Sequence, residues 1–93
     1  MIKDKKISMI VAANIAIAYK REKPRADSEE TMKHVIQNMK ISKEAKIFGI
    51  AGANFVVKYI EGNPKATEKE IMQKLVDEAE NILNSIENQE LQM

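Results

Sequence analysis

The sequence predicts an all-α protein, a four-helix bundle-like domain built from two tandem copies of a helical hairpin. Three observations support this prediction. Apolar residues recur at helical spacing in four segments, no segment alternates between apolar and polar residues, and the first half of the sequence aligns with the second without a gap. A chain of 93 residues suffices for one hydrophobic core, so residues 1–93 are predicted to form a single domain.

The first helix is predicted over residues 4–22. Apolar residues cover nearly every side of it between Ile7 and Tyr19, which predicts a helix surrounded by other parts of the protein. As a helix this run reaches about 20 Å, too short for a hydrocarbon core of about 30 Å. The charged residues 20–23 follow it, where a signal peptide would have small residues, so we expect a retained helix and no membrane span.

The second helix is predicted to follow Pro24, with Asp27 as its N-cap and Glu30 three residues later. One stripe of this helix is apolar and is expected to be buried; it consists of Met32, Val35, Ile36 and Met39.

The third helix is predicted to begin with Ser42 as its N-cap and to end at Gly62-Asn63-Pro64. The fourth is predicted to begin with a capping box at Thr67 and to continue to about Asn88, leaving residues 89–93 as a frayed tail.

The internal repeat is the strongest signal in the sequence. Residues 3–39 align with residues 43–79 without a gap and give 11 identities in 37 pairs, where composition alone would give about two or three. We therefore predict two copies of a helical hairpin, residues 3–40 and 43–80, related by a pseudo-twofold axis. The first and third helices should pack centrally, with the second and fourth outside them. Small residues should let the central backbones approach closely: Ala12, Ala13, Ala16, Gly49, Gly52 and Ala53.

Asn14 and Asn54 are the candidate polar pair on the pseudo-dyad, because they occupy equivalent positions in the most apolar stretch of each copy. Two interpretations are a solvated edge and a hydrogen bond between the two residues that fixes register; a ligand site is the third.

Two further sets of residues have structural alternatives to a functional role. Tyr19 and Tyr59 are expected to pack against the Pro-containing loops. His34 and Glu30 lie four residues apart on one helix face, which is a fragment of a metal site. No third ligand stands at a recognisable spacing, so a surface histidine is the favoured interpretation and no metal is predicted.

Charge is unevenly distributed, with a net +5 in residues 1–46 and −4 in residues 47–93. Such asymmetry indicates either a basic surface for phosphate groups or complementary faces that pair within the fold or between subunits. The candidate phosphate-contacting residues are Lys3, Lys5, Lys6, Lys20, Arg21, Lys23 and Arg25. For the last four, simple complementation of the helix C-terminus is the alternative.

The segment from Ser42 to Ile60 resembles a helix-turn-helix, with matching residues at Ala45, Phe48, Gly49, Ile50 and Phe55. The residues after it, 62–65, are similar to the segment that follows the recognition helix in LacI-type headpieces. The resemblance implies a DNA-binding regulator whose second helix enters the major groove. The surface of that helix would offer almost no hydrogen bonds to base edges, since it consists of Ala51, Gly52, Ala53, Val56 and Val57.

The absence of cysteine excludes disulfides and thiolate chemistry, and favours a reducing, cytoplasmic location. No phosphate-binding loop, catalytic triad or dinucleotide fingerprint occurs, so no catalytic, cofactor-binding or metal-ligating residue is predicted. The predicted function is a small non-enzymatic interaction module that acts as a homodimer through protein–protein contacts. The alternative is a nucleic-acid-binding, helix-turn-helix-like transcriptional regulator.

Overall fold

A computed structural model describes residues 2–91, and within this range the chain forms four helices. The helices are α1 (Lys5–Glu22), α2 (Ser28–Asn38), α3 (Lys46–Gly62) and α4 (Glu68–Leu91). No strand forms within residues 2–91, which confirms the predicted all-α class. None of the helices in this range has the length and apolar character that crossing a bilayer requires.

Side-chain caps begin three of the helices, because the first turn of a helix leaves backbone N–H groups without partners. Asp4 accepts a hydrogen bond from the Ile7 N–H at 2.8 Å. At α2 the carboxylate of Asp27 accepts from the Glu30 N–H at 2.8 Å, and at α4 the hydroxyl of Thr67 accepts from the Glu70 N–H at 3.1 Å. The predicted caps Asp27 and Thr67 are therefore confirmed.

The predicted start of α3 at Ser42 is wrong, because the helix begins one turn later. The Ser42 N–H donates to the Ile2 carbonyl oxygen at 2.8 Å, which holds this residue in a bridge to the N-terminal segment. Residues 43–45 then form a turn in which the Ala45 N–H donates to the Ser42 carbonyl oxygen at 3.1 Å. The helix begins only at Lys46, after a tertiary contact that the local sequence does not encode.

The segment that resembles a helix-turn-helix does not fold as two helices. Residues 46–62 form one uninterrupted helix, with Gly49 inside its first turn. The proposed recognition surface is also unavailable to a base pair, because Gly52, Val56 and Val57 are buried. Helix packing explains the glycine at position 49, since a Cβ there would lie 3.4 Å from the Ser8 carbonyl oxygen of α1.

Helices α1 and α3 each end just before a Pro-containing loop. The Lys23 N–H donates to the Tyr19 carbonyl oxygen at 2.8 Å, and the Asn63 N–H donates to the Ile60 carbonyl oxygen at 3.1 Å. The third helix ends at Gly62, as the sequence predicts. The fourth continues to Leu91, beyond the predicted end at Asn88, and the remainder of the predicted tail lies outside the described residues.

The first and third helices form the centre, and α2 and α4 pack on either side of them without touching each other. The two central helices run in the same direction. At their N-terminal ends Ile2 and Ile41 form an isolated parallel bridge, and at their C-terminal ends Ile17 and Ile60 line the same cleft. The predicted central position of α1 and α3 is therefore confirmed.

Small residues allow the central helices to approach closely. A Cβ added to Gly52 would lie 2.8 Å from Cα, Cβ and the carbonyl oxygen of Met9. Such a separation is far below van der Waals contact, so only glycine fits at this crossing. Alanines that are fully buried flank the crossing on both helices: Ala12, Ala13, Ala16 and Ala53.

The core extends from the crossing to both outer helices. Val35 of α2 and Leu75 of α4 are fully buried against it. A second cluster lies beneath the last turns of α4, where Ile86 covers Met9 and Phe48. The additional length of α4 over α2 therefore closes one end of the molecule.

Candidate interaction surface

Each central helix exposes one side to solvent, opposite the side that faces its partner helix. We call these the α1 outer face and the α3 outer face. The α1 outer face consists of Asp4, Ile7, Val11, Asn14, Ala18 and Arg21. The α3 outer face consists of Ile47, Ala51, Asn54, Lys58 and Glu61, and Glu44 lies in the turn that precedes α3. The large apolar residue of each face is open to solvent, Ile7 at 51% and Ile47 at 48% exposure.

Two more large apolar residues are exposed on the outer helices. Ile36 of α2 has an exposure of 42% and Val76 of α4 has an exposure of 54%. The placement of Ile36 on the buried stripe of the second helix is therefore wrong. Val76 borders a crevice that it shares with Ile10 and Ala79. Apolar residues that are exposed singly are normal on a protein surface, whereas exposed apolar residues that lie together mark contact surfaces.

Among residues whose burial the structure describes, the four exposed large apolar side chains form two equivalent pairs. Ile7 aligns with Ile47 in the sequence repeat, and Ile36 aligns with Val76. The sequence contained this signal, because the aligned residues are Ile with Ile and Ile with Val. It was missed because apolar residues surround both central helices, and periodicity cannot then tell which side is left uncovered.

Of the three interpretations of Asn14 and Asn54, a hydrogen bond between the two side chains does not occur within the described residues, whereas a solvated edge and a ligand site stay open. Asn14 is exposed on the α1 outer face and Asn54 is half-buried on the α3 outer face. Among the described residues, neither side chain has a hydrogen-bond partner within the fold, although other surface amides do, such as Asn63 with the Tyr59 carbonyl oxygen at 3.0 Å. Both amides are available to water or to another molecule.

The basic residues at the front of α1 are paired with carboxylates of α4. Lys5 Nζ lies 2.9 Å from Glu87 Oε1, and Lys6 forms an ion pair with Glu80. At the other end of α1, Arg21 Nη1 lies 2.6 Å from Glu68 Oε2. These pairs are exposed, so each stabilises the fold by less than about 1 kcal/mol. The opposite charges of the two halves thus meet within the fold.

The remaining candidates for phosphate contact are distributed over two ends of the molecule. Lys20 Nζ donates to the Ala26 carbonyl oxygen at 2.6 Å, and Lys23 Nζ lies 5.4 Å from the ring centroid of Tyr19. Arg25 is exposed in the same loop, while Lys3 is exposed at the opposite end of α1. Lys20, Lys23 and Arg25 thus lie together near one Pro-containing loop, and Lys3 lies apart from them.

Tyr19 joins α1 to α2 through a small polar cluster. Its ring stacks on His34 with centroids 4.2 Å apart, and its hydroxyl donates to Glu30 Oε2 at 2.7 Å. The hydrogen bond to Glu30, followed by burial and the nearby negative charges, raises the pKa of Tyr19 above its ordinary value. Glu30 and His34 are thus both engaged by Tyr19. Within the described residues no group of three potential metal ligands occurs.

The equivalent tyrosine has a different environment. Tyr59 stacks on Phe55 of its own helix, with centroids 6.4 Å apart, and lies beside Pro64. Position 74 is lysine where the first copy has His34, so no second ring is present to complete the stack.

A cleft with a volume of about 600 Å³ lies between the two Pro-containing loops. Its apolar wall is formed by Ile17, Ile60 and Ile71, and the ion pair between Arg21 and Glu68 stands at its edge.

Comparison with known proteins gives no match: no family model, no curated protein and no solved structure is similar to this chain.

Proposed function

We propose that this chain is a small non-enzymatic interaction module, a duplicated helical hairpin that acts by self-association and contacts with other proteins. The observation that carries the proposal is the recurrence of exposed Ile7 and Ile36 at Ile47 and Val76. Each of these side chains is about half exposed, so a second molecule that covers one of them stabilises the complex by about 1 kcal/mol.

Duplication is supported by agreement between the two copies at several levels. Burial is the same in 32 of the 38 pairs formed by residues 3–40 and 43–80. The first helix of each copy ends at equivalent residues, Glu22 and Gly62, and the second begins at Ser28 and Glu68. The loops between them repeat one hydrogen bond at the same length, 3.0 Å, from the N–H of residue 26 or 66 to the carbonyl oxygen of residue 23 or 63.

The central crossing supports a pseudo-twofold axis between α1 and α3. Gly52 lies against Met9, and their equivalents are Ala12 and Gly49. A Cβ on Gly49 would lie 3.5 Å from the Ala12 Cβ, so the second pair is in contact as well. An experimental structure in which the two hairpins fail to superpose would contradict the duplication.

A role without catalysis is supported by what the polar groups of the surface do. Glu30 accepts a hydrogen bond from the Tyr19 hydroxyl. Three other carboxylates each form an ion pair with one lysine or arginine: Glu68, Glu80 and Glu87. None of these contacts joins two carboxylates in an apolar setting, which acid–base catalysis by such pairs requires. The absence of cysteine supports a reducing compartment, the cytoplasm, as its location.

Self-association is tested by sedimentation equilibrium between about 1 and 100 μM, the range in which transient homodimers of small domains form. The monomer has a mass of 10.6 kDa, and we expect a species of twice this mass to predominate at the upper concentration. A species with the monomer mass alone over the whole range would contradict the proposal. Changing Ile7 and Ile47 together to Glu should abolish association, while the far-UV circular dichroism of the monomer stays the same, because neither side chain is buried.

A further inference from the structure

The α1 outer face has the residue spacing of a coiled-coil seam. Its residues are separated by three, four, three, four and three positions, from Asp4 to Arg21. Asp4 is the N-cap of α1, and the 18 helical residues that follow it give this seam a length of about 27 Å. We propose that the α1 outer face packs antiparallel against the same face of a second copy, around a molecular twofold axis. This inference rests on the proposed self-association and specifies its geometry.

Antiparallel pairing aligns the seam in complementary layers. The seam of a coiled coil alternates between two heptad positions, a and d. In an antiparallel pair each residue at position a packs against a residue at position d of the other helix. Asp4 then faces Arg21 of the second copy, and Ala18 faces Ile7. Around the axis, Val11 faces Asn14 of the second copy. The twofold axis repeats every layer, so the dimer contains two opposite-charge pairs and two pairs that match a large side chain with a small one.

Charge selects this arrangement over the other pairings of the outer faces. Parallel α1 helices would place Asp4 opposite Asp4 and Arg21 opposite Arg21. Antiparallel α3 helices would place Ile47 opposite Lys58, and Glu61 opposite the turn that contains Glu44. A mixed antiparallel pair of α1 and α3 would place Asp4 opposite Glu61, and Arg21 opposite that turn. Like charges at an interface cost free energy. Only the antiparallel pair of α1 helices has opposite charges in both end layers.

The charged residues of the seam remain available for these contacts. Asp4 uses Oδ1 to cap the Ile7 N–H, and a carboxylate has a second oxygen that accepts from a guanidinium. Arg21 pairs with Glu68 at the surface, where its side chain is 70% exposed, and a guanidinium has five N–H donors. Asn14 lies exposed in the innermost layer, where a polar residue fixes the register of a coiled coil at some cost in affinity.

The first test uses disulfide cross-linking, which is clean because the chain contains no cysteine. Ile7→Cys and Ala18→Cys proteins are oxidised separately and as a mixture. Antiparallel pairing brings residue 7 against residue 18 of the other copy, so the mixture should cross-link and neither protein alone should. Residues 7 and 18 are about 16 Å apart along one helix. In the antiparallel pair the two copies of residue 7, like the two copies of residue 18, are therefore too far apart to form a disulfide. Cross-linking of either protein alone, or none in the mixture, would overturn the arrangement.

Equivalent substitutions in α3 are the control. A mixture of Ile47→Cys and Lys58→Cys proteins should give no cross-linked dimer, although these residues occupy the same positions on the α3 outer face. Cross-linking there in preference to α1 would mean that the chain dimerises through α3, which refutes this inference and leaves the proposed self-association intact.

The second test compares two glutamates at equally exposed positions. Ile7→Glu removes two apolar contacts per dimer and should weaken the dimer by about a hundredfold in sedimentation equilibrium. Ile47→Glu should leave the dissociation constant unchanged. Equal weakening by both substitutions, or by Ile47→Glu alone, would overturn the antiparallel α1 pairing. A monomeric unsubstituted chain would overturn both the inference and the proposed function.

Discussion

Replacing Gly52 with alanine should destabilise the protein, although alanine favours helix formation. The added Cβ would lie 2.8 Å from three atoms of Met9, two of which belong to the backbone of α1. Backbone atoms cannot rotate aside as a side chain can, so the two central helices must separate. Overpacking of this kind costs about 3 kcal/mol at the upper end of its usual range.

The gain in helix propensity offsets part of that cost. Alanine is more favourable than glycine inside a helix by about 1 kcal/mol, which leaves a net loss of about 2 kcal/mol. For a domain of this size, such a loss lowers the melting temperature by about 10 °C. Thermal unfolding followed by far-UV circular dichroism, together with a urea titration, measures the effect at a protein concentration where the chain has one oligomeric state.

Two other glycines of α3 are matched controls for Gly52→Ala. Gly62 has nothing within 4 Å of an added Cβ and lies in the helix, so Gly62→Ala should stabilise the protein by about 0.5 kcal/mol. At Gly49 the nearest atom is the flexible end of Ile41, at 2.9 Å, so Gly49→Ala should fall between the two. A Gly52→Ala protein as stable as the unsubstituted chain would refute the close crossing of α1 and α3.

The remaining predictions concern the polar cluster and the core. In a Tyr59→Phe background, where Tyr19 is the remaining phenol, its absorbance titration should have a midpoint above 10, and Glu30→Ala should lower that midpoint. Because the pKa is raised in the folded state, this hydrogen bond stabilises the fold below about pH 10, and the contribution is lost as the pH rises through the raised value. A midpoint that does not respond to Glu30→Ala would contradict the contact. Leu75→Ala should cost about 2–5 kcal/mol in urea unfolding, as Leu75 is fully buried. Val76→Ala, one residue later and exposed, should change stability by about 0.5 kcal/mol or less; similar losses for both would contradict the orientation of α4.

The sequence by itself determined the helices and most of their ends. Helix formation depends on hydrogen bonds and caps between residues close together in the chain, so Asp27, Thr67 and the Pro-containing loops were sufficient to place α2 and α4. The repeat identified the two long apolar helices as the centre. The prediction of Ser42 as the N-cap of α3 was wrong because its backbone N–H donates to the Ile2 carbonyl oxygen. Helices α1 and α2 separate these two residues in the sequence, so no local pattern contains that contact.

Only the tertiary structure decided which surface remains open for another molecule. On α1, apolar residues occupy nearly all directions, so Met9 and Ile7 look alike in the sequence. Met9 is fully buried at the helix crossing and Ile7 is half exposed. The charge asymmetry likewise has two explanations in the sequence, and the structure shows that Lys5, Lys6 and Arg21 lie beside carboxylates of α4. Burial and ion pairing depend on the positions of residues distant in sequence, whereas helix propensity and capping are local properties.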